Sequence, residues 1–221
     1  PRNIRRPAVP VAMALAAFLL LPAAVAHLYG QSPGWSPGTL LEAIPQPGFT
    51  PAQIDELARP LFEGLDQPPS RLSVSVYRLT FASRDYDGSD AVIHAQLFVP
   101  LSGAGTEHPV LVFGSGTTGI AEACAPSREQ PELVRWGYYR ANMLSYASHG
   151  FITIFPDYLG FNDPQRPQRY FSLKAEGQMF LDAARAVYRF FERHDLPMRP
   201  AQAVFTAGYS QGGHAAFAAA D

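Results

Sequence analysis

Three short apolar runs constrain what this chain can fold into more than any other feature of its sequence. They occupy residues 110–113, 151–155 and 203–207, and none of them contains a charged residue. Runs of this length without polar alternation are typical of strands that are covered on both faces. Segments with helical patterning separate them, at residues 138–149 and 172–194. The alternation predicts an α/β fold with a mostly parallel sheet and helices on both of its faces.

The segment ahead of the first run predicts an antiparallel hairpin. Residues 93–99 alternate apolar with more polar side chains, as expected of a strand with one wetter face. A second apolar segment, residues 74–81, precedes them, and the Asp- and Gly-containing residues 84–88 between the two favour a turn. We therefore expect residues 71–221 to form the N-terminal part of one α/β domain.

Residues 27–70 are rich in proline and glycine, which predicts an irregular N-terminal arm. One short helix is expected inside it. Thr50 and Gln53 have the spacing of a capping box, and Pro51 stands at the first helical position. The helix is predicted to run to about Gly64.

The N-terminal segment, residues 1–26, has the pattern of a signal peptide. Basic residues precede an apolar stretch, and Ala24-Val25-Ala26 gives the small residues that a signal peptidase accepts. The alternative is an uncleaved membrane anchor over residues 8–26, which is almost long enough to span a bilayer. We expect a secreted or periplasmic protein, with membrane contact only through this segment if it is retained.

Composition excludes some classes of protein and partner. The chain is 47% hydrophobic and 16% charged, as expected of a globular protein. A net charge of -2 argues against a protein that follows nucleic-acid phosphates. Cys124 is the single cysteine, so no internal disulfide framework is expected. Its thiol is either buried or paired with a group outside these residues.

The motif that carries chemistry is G-x-S-x-G at residues 208–212, between the third apolar run and a predicted helix from Gln211 to Ala220. A strand-to-helix turn of this kind forces Ser210 into a strained conformation that exposes its hydroxyl as a nucleophile. Gly208 and Gly212 are expected because a side chain there would collide with the neighbouring backbone. The N-terminus of the helix places its positive dipole near the reacting centre.

A second glycine-rich segment, residues 114–119, follows the first apolar run. We predict that backbone N–H groups of Thr117 and of Gln211 form an oxyanion hole. The segment also spells G-x-G-x-x-G, the dinucleotide fingerprint, which needs a helix at its third glycine. Pro126 interrupts such a helix, and the nearest acid at a strand end is Asp157, too far along the chain. Nucleotide binding is therefore disfavoured.

Three motifs resemble those of the secretory lipase family of α/β-hydrolases: Gly-Thr-Thr-Gly at 116–119, Cys-Ala-Pro-Ser at 124–127 and Gly-Tyr-Ser-Gln-Gly-Gly at 208–213. The resemblance extends over about residues 72–221. It implies hydrolysis of a small-molecule or lipid carboxylic ester through a serine acyl-enzyme, with no cofactor. The superfamily order of nucleophile, acid and histidine implies that the acid and the histidine lie beyond residue 221. These residues alone are then expected to be inactive, with the strand at 203–207 on an open sheet edge.

Two alternatives remain open. A serine peptidase of the prolyl-oligopeptidase type shares the Ser210 turn, although no propeller-like repeat precedes it here. A non-catalytic binding module with a hydrolase fold would have no use for a strained serine. His214 lies one helical turn after Ser210 and is interpreted as a packing residue, since it cannot reach back as a base. None of the six histidines has metal-ligand spacing, so no metal site is predicted.

Overall fold

A computed structural model describes residues 34–129 and 138–221 of the chain, and Ser36–Asp221 forms one compact unit. The predicted signal peptide, residues 1–26, and the alternative anchor, residues 8–26, lie outside the described residues. Within those that are described, no helix combines the length and the apolar character needed to cross a bilayer.

Strands and helices follow one another along the described chain in the alternating order that the apolar runs predict. The elements are β1 (Leu40–Phe49), α1 (Pro51–Ala58), β2 (Val74–Arg84), β3 (Asp90–Pro100), β4 (Glu107–Gly114), α2 (Tyr139–Ser148), β5 (Ile152–Pro156), β6 (Leu159–Asn162), α3 (Leu173–Arg193), β7 (Arg199–Gly208) and α4 (Gln211–Ala220). The predicted hairpin is β2 and β3, and the three apolar runs lie in β4, β5 and β7.

Six of the described strands form one mixed sheet in the order β1-β2-β3-β5-β4-β7. Antiparallel ladders join β1 to β2, β2 to β3 and β3 to β5, whereas β4 pairs in parallel with both β5 and β7. Four of these strands, β2, β4, β5 and β7, consequently run in one direction. The predicted α/β class with a mostly parallel sheet is confirmed.

Helices cover both faces of this sheet because neighbouring residues of a strand point to opposite sides. In β3, Phe98 packs with α1 and α2, in a cluster that also holds Ile54 and Met143. The adjacent Leu97 belongs to the larger cluster on the other face, with residues of α3 and α4. From Asp90 to Ala95, β3 alternates more exposed with buried residues as predicted, whereas from Ala95 to Pro100 it is buried on both faces.

All four predicted helices are present, and side chains cap two of them. Thr50 and Gln53 form the capping box of α1, with the Thr50 N–H 2.9 Å from Gln53 Oε1. Ser172 caps α3 through its side chain. The predicted end of α1 near Gly64 is wrong: α1 ends at Ala58, and a 3₁₀ turn, Arg59–Phe62, follows. Pro60 accounts for the change, because proline lacks the N–H that an α-helix needs.

The predicted irregular arm is corrected by β1. Within residues 27–70, Leu40–Phe49 pairs with β2 and forms one edge of the sheet. Proline cannot donate a ladder hydrogen bond, and it is tolerated on edge strands, so Pro45 and Pro47 fit this position. The sheet therefore begins well before residue 71.

The burial expected for residues 203–207 is also corrected. In the described chain β7 lies at the other edge of the sheet, and it pairs only with β4. Val204 and Phe205 are 42% and 52% exposed. The strand itself and its open edge are as predicted, but side chains on it are not covered on both faces.

Candidate active site

Ser210 lies at the junction where β7 ends and α4 begins. Its φ of 51° and ψ of −112° form a combination that residues with a side chain rarely adopt. The residue is exposed, so its hydroxyl is open to a substrate. The junction has the strand–turn–helix geometry that a G-x-S-x-G pattern is expected to adopt around a nucleophilic serine.

Three glycines allow β4, β7 and α4 to meet backbone to backbone at this junction. A Cβ on Gly208 would overlap the carbonyl group of Gly212, and a Cβ on Gly212 would overlap the carbonyl group of Gly114. A Cβ on Gly114 would lie 2.7 Å from the Cα of Gly212. No side chain fits at these positions, so the sequence requires glycine at each of them.

The two predicted oxyanion donors lie on segments that meet at this contact. The N–H of Tyr209 donates to the Gly114 carbonyl at 3.2 Å, which joins the start of the loop to the Ser210 turn. Among the described residues, the N–H groups of Thr117 and Gln211 have no hydrogen-bond acceptor. The Gln211 N–H is free because it opens a helix. Both N–H groups are thus available to a substrate oxygen.

Tyrosine hydroxyls hold the loop that carries Thr117. Tyr158 donates to the Ser115 carbonyl at 2.5 Å, and the Gly116 N–H donates to the Tyr139 hydroxyl at 2.8 Å. Burial raises the pKa of both tyrosines, so both hydroxyls remain protonated at neutral pH. Tyr139 therefore occupies the Gly116 N–H, whereas the Thr117 N–H stays open to a ligand.

Asp157 ties a more distant part of the same loop to the end of β5. Its carboxylate accepts hydrogen bonds from the N–H and the hydroxyl of Ser127, both at 2.6 Å, and from the Asn162 amide at 2.9 Å. Burial raises the pKa of Asp157 to about 7 despite these three donors. The sequence offers a signal for this role, an acid directly after an apolar run.

The loop after β4 lacks the helix that a dinucleotide site needs. From Gly119 to residue 129 the described chain forms only two 3₁₀ turns, Glu122–Cys124 and Pro126–Arg128. Asp157, the one candidate acid, is buried against Ser127. Gly114 and Gly116 instead pack closely against the Ser210 turn, and the geometry does not fit the nucleotide fingerprint.

Sequence reasoning missed Glu176, a carboxylate of α3 that lies against α4. Its side chain accepts hydrogen bonds from the side chain of Gln211 at 2.8 Å and approaches Nδ1 of His214 at 2.6 Å. An acid on the apolar face of α3, one helical turn before Phe180, was the available signal. His214 lies on α4, as its position in the sequence predicts.

Cys124 has a free thiol in the described part of the chain. It is half-buried, and its sulfur lies close to the Cα of Gly119, where a Cβ would be 2.8 Å away. No group of three or more His, Cys, Asp or Glu side chains in residues 34–129 and 138–221 is arranged to hold a metal ion.

Comparisons with known proteins place the chain among solved hydrolase structures. The rice cell wall degrading esterase LipA from Xanthomonas oryzae matches with a TM-score of 0.66 and 25% identity, over 83% of this chain and 45% of the esterase. A Legionella pneumophila protein assigned as a hydrolase matches with a TM-score of 0.67 and 21% identity, over 81% and 46%. Candida antarctica lipase A matches with a TM-score of 0.56 and 17% identity, over 84% and 38%.

These matches rest on structure. No protein-family model matches the sequence, and no curated protein matches it. The likeness to the Legionella protein and to the Candida lipase concerns the fold alone. The chain spans less than half the length of the solved structures that it matches.

Proposed function

We propose that this chain, which has the α/β-hydrolase fold shared by the lipases and esterases above, carries the nucleophile of a serine carboxylic-ester hydrolase. One observation carries the proposal. Ser210 is exposed and strained at the end of β7, its turn contacts the segment that carries Thr117, and the N–H groups of Gln211 and Thr117 have no acceptor among the described residues. A nucleophile next to unoccupied donors is the arrangement that acyl transfer needs.

The chemistry follows from the positions of these groups. The Ser210 Oγ attacks the ester carbonyl, and the negative charge that develops on oxygen is stabilised by the N–H groups of Gln211 and Thr117 and by the N-terminus of α4. The alcohol leaves, and water then hydrolyses the acyl-enzyme. The general base and its acid are proposed to follow residue 221, in the superfamily's order. His214 is not proposed as the base, because it lies on the same helix one turn after Ser210, with its ring packed against Phe171.

Apolar side chains near the turn favour a substrate with an apolar group. Tyr209 is 67% exposed beside Ser210, and Tyr170 is 56% exposed with its hydroxyl 3.2 Å from that of Thr117. We propose small-molecule or lipid esters as substrates. The esterase and lipase names of the solved structures support that class. Export is proposed from the signal-like pattern of residues 1–26.

Ser210→Ala in the full chain tests this proposal. Turnover of nitrophenyl esters should fall by about 10⁴-fold or more, because removal of a catalytic serine abolishes the covalent route. Ser36→Ala, which changes an exposed serine ahead of β1, is the matched control and should retain wild-type turnover. A fluorophosphonate should label the wild type at Ser210. Full turnover by Ser210→Ala, labelling at another residue, or a preference for aminoacyl amides over esters would contradict the proposal.

A further inference from the structure

Glu176 has an unusual position for a charged side chain. It is only 2% exposed, on the face of α3 that packs against α4. Oε1 accepts hydrogen bonds from the Gln211 side chain at 2.8 Å and from the Phe171 N–H at 3.1 Å, and Oε2 lies 2.6 Å from Nδ1 of His214. Burial of a carboxylate is costly unless such partners compensate it.

Two of these partners belong to the helix that opens at the nucleophile. Gln211 is the first residue of α4, and the residue is itself only 3% exposed. His214 lies one turn further along α4. The Glu176 carboxylate therefore contacts the first turn of α4 at two positions, Gln211 and His214. Because these contacts hold that turn in place, they also orient the backbone N–H of Gln211.

The third partner, Phe171, connects Glu176 to the segment of Thr117, the other predicted oxyanion donor. Phe171 has a positive φ of 56°, and its ring lies over that of His214 with centroids 4.6 Å apart. The adjacent Tyr170 accepts a hydrogen bond from the Thr117 hydroxyl at 3.2 Å. Glu176 thus contacts Gln211 directly. It is linked to Thr117 through Phe171, whose N–H it accepts, and the adjacent Tyr170.

We propose that Glu176 is a positioning residue, which sets the oxyanion site by holding the first turn of α4 and the Tyr170–Phe171 segment. This inference rests on the proposed function. Glu176 touches no reacting atom, and it acts through Gln211, Phe171 and His214. Donors aimed where charge develops lose much of their effect when they move by about 1 Å, for which losses of about 100-fold are typical. Without the carboxylate, the first turn of α4 keeps only the hydrogen bonds of its own backbone.

A second buried carboxylate on the same helix provides a matched control. Asp182 is 0% exposed and also has three partners: Ser83 at 2.8 Å, Gln178 at 2.9 Å and Arg185 at 2.6 Å. These partners lie on β2 and on α3 itself, away from the Ser210 turn. Asp182→Ala should disturb the packing of α3 as Glu176→Ala does, but it removes no contact to α4.

The test compares Glu176→Ala, Glu176→Gln and Asp182→Ala in the full chain with a nitrophenyl ester. We expect Glu176→Ala to lower kcat by about 10- to 100-fold and to leave KM within about threefold, since a displaced donor acts mainly on the transition state. Glu176→Gln keeps an acceptor at Oε1 for Gln211 and Phe171, and it should restore kcat to within about fivefold of wild type. Asp182→Ala should stay within about twofold in kcat.

A trifluoromethyl ketone supplies the second readout, because its adduct with a serine places an oxyanion in the site. Its inhibition constant should rise in Glu176→Ala by about the factor by which kcat/KM falls. If Glu176→Ala does not fold, Glu176→Gln and Gln211→Met replace it. Gln211→Met keeps the backbone N–H but removes the amide that Glu176 holds, so it should lower kcat by about tenfold while KM changes little.

The outcomes separate this inference from the proposed function. A wild-type protein that turns over ester but is not labelled at Ser210 by a fluorophosphonate would overturn the proposed function, and the inference with it. A wild type labelled at Ser210 together with a folded Glu176→Ala of unchanged kcat would overturn the inference alone. Equal losses of kcat in Glu176→Ala and Asp182→Ala would also overturn the inference, because they would show that any disturbance of α3 lowers turnover.

Discussion

Asp157→Asn tests how one buried carboxyl couples the stability of this fold to pH. Asp157 is 1% exposed, and it fastens the loop after β4 through Ser127. Burial raises its pKa from 3.8 to about 7, and the hydrogen bonds from Ser127 and Asn162 oppose that rise without cancelling it. Asparagine has nearly the same shape as aspartic acid but does not titrate.

The free energy of unfolding depends on pH because the folded and the unfolded chain bind the Asp157 proton over different pH ranges. Between about pH 4 and pH 7 the folded protein keeps a proton on Asp157 that the unfolded chain has released. The contribution of this group to the free energy of unfolding is therefore fully present below about pH 4, and it is lost as the pH rises to about 7. At about 1.4 kcal/mol per pH unit, a gap of about 3 units corresponds to about 4 kcal/mol.

Urea unfolding of the wild type and of Asp157→Asn at several values from pH 4 to pH 8 measures this contribution. The difference in unfolding free energy, wild type minus variant, should fall by about 4 kcal/mol over that interval and then level off. Asp87→Asn is the control: hydrogen bonds from Ser89 lower the pKa of that exposed carboxyl from 3.8, so its difference from the wild type should stay flat from pH 4 to pH 8 and should change, with the opposite sign, only at more acid pH. Parallel curves for the wild type and Asp157→Asn would refute the reasoning.

Three further predictions concern the Ser210 turn, the core and a helix cap. Gly212→Ala forces a Cβ against the Gly114 carbonyl, so phosphonate labelling of Ser210 should slow by about tenfold or more, whereas Gly103→Ala, with open space around the added Cβ, should label normally. Phe180→Ala empties a fully buried site and should lower the free energy of unfolding by about 3–5 kcal/mol in urea titrations. Thr50→Ala breaks the capping box of α1 and should cost about 1 kcal/mol in the same assay, with ester turnover unchanged.

Much of the fold could be predicted because its signals are local. The strands at β4 and β5 are apolar runs that only a covered strand accommodates, and α3 carries one apolar face along its whole length. The Ser210 turn combines a strand, a helix and two glycines within a few residues. Patterns that are complete within one short window need no knowledge of the remaining chain.

The features that sequence reasoning missed depend on what lies beside a segment in space. The prolines of β1 argue against a strand until its place at the edge of the sheet is known. The apolar run in β7 predicts burial, whereas among the described residues β7 pairs with β4 alone and is partly exposed. Nothing in the sequence shows which groups Glu176 contacts, because its hydrogen-bond partners Gln211 and His214 lie on α4, far along the chain.

The packing of the glycines explains why two motifs that are distant in the sequence can act as one site. Gly114 ends β4 and Gly212 lies in the first turn of α4, and their backbones touch with no side chain between them. Thr117 and Gln211 each lie within three residues of that contact, so any movement of α4 relative to β4 would change the spacing of their N–H groups. Side chains can adjust to such a movement by changing rotamer, but two backbones in direct contact cannot. The glycines therefore make the geometry of the proposed oxyanion site a consequence of how the strand and helix pack, and Glu176 holds the first turn of α4, where the opening N–H groups of a helix lack acceptors within it.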